Sequence, residues 1–199
     1  MGETVFVPGA RRVEATLDGP RDADACVVAC PPHPQHRGHR GDARLTAVSD
    51  HLTPEIACLR FDYGSWDEGR GEREDARNAL RWAADAYDAV GVFGFSFGGA
   101  IAALAAASTE IDLAGVSLLA PTAEVEAGLN AADALDDIAS PTQVVYGARD
   151  MTADWRPVVE RAREHGMTVV ELSADHFFVG KTDQVADAAG GFLADALRA

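Results

Sequence analysis

The chain has 199 residues, 47% of them hydrophobic and 25% charged, a balance that excludes a disordered polypeptide and fits one globular domain over residues 1–199. Thirty-two acidic residues stand against 17 basic ones, a net charge of −15, so a nucleic-acid backbone would be repelled and is excluded as a partner. No apolar run approaches the roughly 20 residues of a membrane helix, and the start lacks a basic segment followed by an apolar core, so the expectation is a cytoplasmic protein with no membrane partner.

The elements alternate along the chain. Residues 4–7 and 12–17 read as an edge hairpin around the Pro8–Gly9 turn. Residues 25–30 (ACVVAC) form a continuous apolar run, as in a strand buried on both faces. A helix over 42–52 follows with Asp42 as N-cap, then a strand over 55–61 and a helix over 72–87. Strand 89–95 (AVGVFGF) runs into Ser96, and an alanine-rich helix covers 98–108. Strand 115–120, a weak helix 124–138, strand 142–146, helix 153–165 with Asp154 as its cap, strand 168–172 and helix 184–197 complete the pattern. Strands alternating with helices predict an α/β fold, a mostly parallel sheet of about eight strands with helices on both faces and no lid domain.

Within the acids Asp outnumbers Glu by 20 to 12, and Lys181 is the only lysine beside 16 arginines. This composition matches proteins that work in molar salt, where the screening length falls to about 3 Å and an acidic surface no longer repels itself. An ordinary acidic protein is the alternative. Cys26, Cys30 and Cys58 sit in apolar segments and are expected to be buried free thiols.

The most informative stretch is Gly94-Phe95-Ser96-Phe97-Gly98, a G-x-S-x-G pattern between a predicted strand and a predicted helix. Glycines at the flanks permit a strained turn that projects the serine hydroxyl above the sheet, and the helix that follows aims its N-terminus at developing negative charge. A serine needs a base. His176 lies beyond the last predicted strand, whereas His165 ends a helix before Gly166 and reads as structural. Asp150, at the end of a β-rich run, is the expected acid, with Asp154, Asp175 and Glu124 as alternatives. The oxyanion donors are expected to be the backbone N–H groups of Phe97 and of His33 in the loop Pro31-Pro32-His33-Pro34-Gln35, where the prolines carry none and Gln35 is the other near donor. Gln35, Trp66, Trp155 and Phe177 are candidate pocket residues; the aromatics could equally be ordinary packing. His33, His36 and His39, spaced by three, raise a metal site, but in this proline-rich loop they read as surface or pocket histidines, so neither metal nor cofactor is expected. The acidic cluster Glu72–Asp75 is expected to start a helix.

Taken together, the elbow at 94–98, Gly147-x-x-Asp150 and Asp175-His176 resemble the α/β-hydrolase superfamily in order and spacing across essentially the whole chain. More narrowly, Cys30-Pro31-Pro32-His33-Pro34 with Gly69-Arg70-Gly71-Glu72-Arg73-Glu74-Asp75 is similar to a group of small lidless hydrolases related to dienelactone hydrolases, largely of unassigned substrate. That group's loop usually reads His-Pro-His-Pro, and here Pro31 replaces the first histidine. Dienelactone hydrolases use a cysteine nucleophile, so Ser96 turns the expectation towards a carboxylic-ester hydrolase acting on a small molecule. A non-catalytic binding protein of the same fold, or a peptidase or acyltransferase, are the alternatives; composition leaves the oligomeric state open.

Overall fold

The computed structural model describes residues 2–53 and 55–199. Its centre is an eight-stranded sheet in the order β1-β2-β4-β3-β5-β6-β9-β10. The strands are β1 Glu3–Val7, β2 Val13–Asp18, β3 Ala25–Cys30, β4 Ala57–Phe61, β5 Ala89–Phe95, β6 Leu113–Leu119, β9 Thr142–Gly147 and β10 Thr168–Leu172. β2 pairs antiparallel with both β1 and β4, and every other pairing is parallel. The edge hairpin read from Pro8–Gly9 is therefore present.

Alternation along β3 shows how the layers are built. Cys26, Val28 and Cys30 face one apolar cluster and Ala25, Val27 and Ala29 the other, because successive side chains leave a strand on opposite faces. Against the first face pack α2 (Arg70–Ala84), α3 (Phe97–Ser108), α4 (Ala131–Ala134) and α5 (Arg156–Glu164), through residues such as Leu80, Ile101 and Val158. Against the second lie α1 (Ala43–Leu52) and a C-terminal segment of α6 (Thr182–Val185), a π-helical turn at Ala186–Gly190 and α7 (Gly191–Ala196). Among the described residues no helix is long and apolar enough to cross a membrane.

Two predicted elements differ. The weak helix expected over 124–138 is instead a short antiparallel ribbon, β7 (Glu124–Val125) with β8 (Leu129–Asn130), followed by α4 and a 3-10 turn. Gly128 takes φ +70°, and the Asn130 side chain accepts from the amides of Ala132 and Asp133, so the helix can start only after it. Helix α5 starts at Arg156 rather than 153, with Pro157 in its first turn and Trp155, not Asp154, at the N-cap position.

The chain leaves β3 towards β4 on one side and leaves β5 towards β6 on the other. The loops after β3 and β5 therefore diverge at adjacent strand ends, which opens a crevice at the carboxyl edge of the sheet.

Candidate active site

Ser96 stands at that crevice. Its backbone has φ 57° and ψ −119°, a conformation rarely adopted by residues with a side chain, and its N–H donates to the Leu119 carbonyl at 2.8 Å. The flanking glycines are dictated by close approach. A Cβ on Gly94 would stand 2.1 Å from the Gly98 carbonyl oxygen, and one on Gly98 would stand 2.2 Å from that of Cys30. The second approach also presses the start of α3 against the loop after β3.

His176 and Asp150 reach Ser96 from neighbouring strand ends. Ala148 N–H donates to the Leu172 carbonyl at 2.8 Å and Arg149 N–H to that of Ala174 at 3.0 Å, tying the loop after β9 to the loop after β10. Across this tie Asp150 Oδ2 lies 2.7 Å from His176 Nδ1, and His176 Nε2 lies 3.0 Å from Ser96 Oγ. The remaining oxygen, Asp150 Oδ1, accepts from the amides of Thr152 and Ala153 at 2.8 and 3.1 Å. A carboxylate only accepts, so Nδ1 must carry the proton and Nε2 is left to accept from the serine hydroxyl. The ring is held by Phe95 and Phe177, each with its centroid 5.3 Å away, and Asp150 and His176 are 1% and 5% exposed. Asp150 and His176 are polar groups buried with their hydrogen-bond capacity met.

None of the alternatives for the acid pairs with His176, whose Nδ1 faces Asp150. The Asp175 carboxylate accepts from the amides of Phe177 and Phe178, Asp154 is exposed, and Glu124 sits on the exposed ribbon. His165 pairs with Asp136 at 2.9 Å, at the C-terminal end of α5.

Of the two expected oxyanion donors, Phe97 is the first residue of α3, where an amide has no intrahelical acceptor. His33 precedes a 3-10 turn at Pro34–His36, and its Nδ1 accepts from Gln35 N–H at 3.2 Å, which turns that rival donor away. The His33 ring stands 4.5 Å from Trp66, 4.6 Å from His36 and 4.7 Å from Phe97, centroid to centroid. Burial, then the neighbouring His36, pushes the His33 imidazole below its ordinary pKa.

Two cavities meet at Ser96. One, of about 280 Å³, is walled by Trp66, Phe97 and Val125 with Glu124 and Glu126; the other, of about 420 Å³, by Phe95, Phe177, Arg37, Arg44 and His176. Trp66 lines the smaller of these cavities and Phe177 the larger. Gln35 and Trp155 line neither. Gln35 is exposed and faces neither cavity. Trp155 is 8% exposed, stacked on Tyr146 at 4.4 Å, with its indole N–H donating to the Asp150 carbonyl at 3.2 Å. It braces Asp150 from behind. Thr152 lines both cavities and was missed, although its place two residues after Asp150 was a usable signal.

His39 Nδ1 accepts from Gly41 N–H at 3.0 Å, a partner outside the His33–His36 stack. The three thiols are free and buried, and burial raises Cys58 to about 12 and Cys26 and Cys30 well above the ordinary thiol value, so none is a nucleophile at neutral pH.

The acidic cluster is more than a helix start. Glu72 and Asp75 are both fully buried, 0% exposed, and Arg11 from the edge hairpin enters between them. Glu72 accepts from Asp67 N–H at 2.9 Å and Gly69 N–H at 2.8 Å, and Asp75 from Gly64 N–H at 2.9 Å. These bonds fasten the loop that carries Trp66 and Tyr63, whose hydroxyl donates to the Pro31 carbonyl at 3.2 Å.

Known proteins share this architecture. An α/β serine hydrolase homologue from Coxiella burnetii is 25% identical, with TM-score 0.82 and a match covering 96% of this chain and 97% of that one. A serine hydrolase without lid from Xanthomonas campestris is 22% identical, TM-score 0.80, over 100% and 96% of the two chains. A dienelactone hydrolase from Anabaena variabilis is 22% identical, TM-score 0.80, over 100% and 99%. No protein-family model matches the chain, and no curated protein does. The chain therefore has the α/β-hydrolase fold in its lidless form, as the sequence resemblance implied, and stands by fold with hydrolases of the α/β type.

Proposed function

We propose that residues 1–199, as one domain, cleave a small carboxylic ester through Ser96, His176 and Asp150. The observation that carries this reading is the continuous chain Asp150 Oδ2, His176 Nδ1, His176 Nε2, Ser96 Oγ at 2.7 and 3.0 Å, on a serine held in a strained turn.

His176 Nε2 takes the hydroxyl proton as Ser96 Oγ attacks the carbonyl carbon. The resulting oxyanion accepts from the N–H groups of Phe97 and His33, close to the N-terminus of α3. The C–O bond to the alcohol then breaks, and His176 returns the proton to the departing oxygen. A water molecule, deprotonated by the same nitrogen, attacks the acyl carbon; the bond to Ser96 Oγ breaks, His176 returns the proton to Oγ, and the acyl group leaves as a carboxylic acid. Asp150 keeps the imidazole in the required tautomer and stabilises its cation. The acid-rich, lysine-poor composition supports a working environment of molar salt in a cytoplasm.

Labelling by a fluorophosphonate in molar KCl, with the modified peptide located by mass spectrometry, tests the reading without a choice of substrate. Labelling at Ser96 that disappears in His176→Ala is the expected result, and Ser96→Ala is expected to lower ester turnover by several orders of magnitude. A folded protein that is not labelled would point to the non-catalytic alternative.

A further inference from the structure

We propose that the ester's leaving group has an apolar body and an anionic end, received by Phe177 and by Arg37; this rests on the Ser96–His176–Asp150 reading. The direction of the substrate follows from the proton. In acyl transfer the leaving oxygen must reach the nitrogen that protonates it. His176 lines the larger cavity and not the smaller one, so the leaving group occupies the cavity of Phe95, Phe177 and Arg37. The acyl group falls to the cavity of Trp66, Phe97 and Val125.

The two cavities differ in charge. The acyl side carries Glu124 and Glu126 and no arginine or lysine. The leaving-group side carries Arg37, Arg44 and Asp42, with His36 at the boundary of both. Arg44 is engaged: Nη2 lies 2.6 Å from Asp42 Oδ2, Nη1 donates to the Phe177 carbonyl at 3.4 Å and the guanidinium lies 4.4 Å over the Phe95 ring, while its buried Nε has no partner among the described residues. Arg37 is different. Among the described residues its side chain makes no ion pair or hydrogen bond, in a chain of net charge −15. It is also held at φ 64°, a left-handed conformation that costs an arginine more than a glycine or asparagine. An unengaged guanidinium in a cavity with the proton donor fits a carboxylate or phosphate oxygen pair on the departing fragment.

Apolar surface is concentrated at the same loops. Four large apolar side chains are strongly exposed among the described residues, and three of them are Met151, Phe177 and Val179, beside Asp150 and His176 in sequence. Phe177, 53% exposed, lines the leaving-group cavity itself. A departing fragment with an apolar face covers that ring while its charge meets Arg37.

The test compares 3-carboxyphenyl acetate with its neutral isostere 3-carbamoylphenyl acetate, in KCl at which circular dichroism shows a folded protein. The acyl group is shared and the ring electronics are similar, so the ratio of the two kcat/KM values reports charge recognition. The wild type, in the lowest KCl that keeps it folded, is expected to prefer the carboxylate by about two- to fivefold. Arg37→Ala is expected to bring the ratio close to one, and Arg37→Lys to restore part of it, since an ammonium keeps the charge without the planar fork. An enzyme that reacts with fluorophosphonate at Ser96 yet cleaves the carboxylate ester no faster than the carboxamide overturns this proposal alone, as does a ratio that Arg37→Ala leaves in place. Failure of the fluorophosphonate reaction overturns the hydrolase reading beneath it.

Discussion

Replacing Arg11 by methionine keeps most of the side chain's apolar stem and removes the only cation that pairs with Glu72 and Asp75 among the described residues. Glu72 would keep its two amide donors from Asp67 and Gly69, but Asp75 would keep one, from Gly64, because the Arg11 Nε hydrogen serves Oδ2 and Asp75 Oδ1 has no donor of its own. Removing one partner of a buried ion pair costs about 3–5 kcal/mol. Arg11 is 22% exposed, so water can enter part of the vacated space, which points to the lower end, about 3 kcal/mol. At about 2–4 °C per kcal/mol for a chain of this size, the melting temperature should fall by about 6–12 °C. Thermal unfolding followed by circular dichroism in molar KCl is the assay of choice. There the surface pairs are screened and this one is not. Burial raises the Asp75 carboxyl above its ordinary pKa of 3.8, partly offset by Gly64 and Arg11, so without Arg11 it protonates more readily still. A neutral carboxyl needs no counter-charge, so the deficit should be larger at pH 8 than near pH 5. A loss below about 1 kcal/mol in molar KCl, or a deficit that grows on acidification, would refute the account of this network.

Two further outcomes follow from the site. Asp150→Asn would still accept from Thr152 and Ala153 through its amide oxygen but would turn an NH₂ towards His176 Nδ1, forcing the proton to Nε2. The fold should survive while kcat/KM for an ester falls by about 10⁴, and near-normal activity in this variant would remove Asp150 from the mechanism. The His33 ring, followed by its Cε1–H resonance, should titrate below the ordinary 6.5, chiefly because it is buried and then because His36 adjoins it. The native state then binds fewer protons than the unfolded one below pH 6.5, so this residue's contribution to stability declines as pH falls through 6.5 towards the lowered folded value; a midpoint at or above 6.5 contradicts the packing described.

What could be read from the sequence followed the range of the forces involved. The elbow was legible because its requirements are local: Gly94 and Gly98 are needed by contacts within a few residues and one neighbouring strand. Asp150 and His176 were legible because each closes a β-rich run, and parallel strands deliver their carboxyl ends to one edge. The segment 124–138 misled because its alanines, leucines and glutamates suggest a helix, yet Gly128 and Asn130 are conformational decisions that outweigh propensity; both are visible as a turn residue and a cap. Trp155 and Gln35 were misplaced for another reason. Composition says that an aromatic near an acid is useful, but not whether it faces the substrate or, as here, props the Asp150 backbone from the far side. Least legible was the ion cluster, since Arg11 meets Glu72 and Asp75 across 61 and 64 residues of chain. No pattern within a helix can announce a partner on a distant hairpin. Yet that cluster anchors the loop of Trp66 and Tyr63, and through Tyr63 the carbonyl of Pro31 beside the expected oxyanion donors. The residues proposed to react sit at strand ends, whereas the wall of the crevice beside them depends on contacts that only the folded chain brings together.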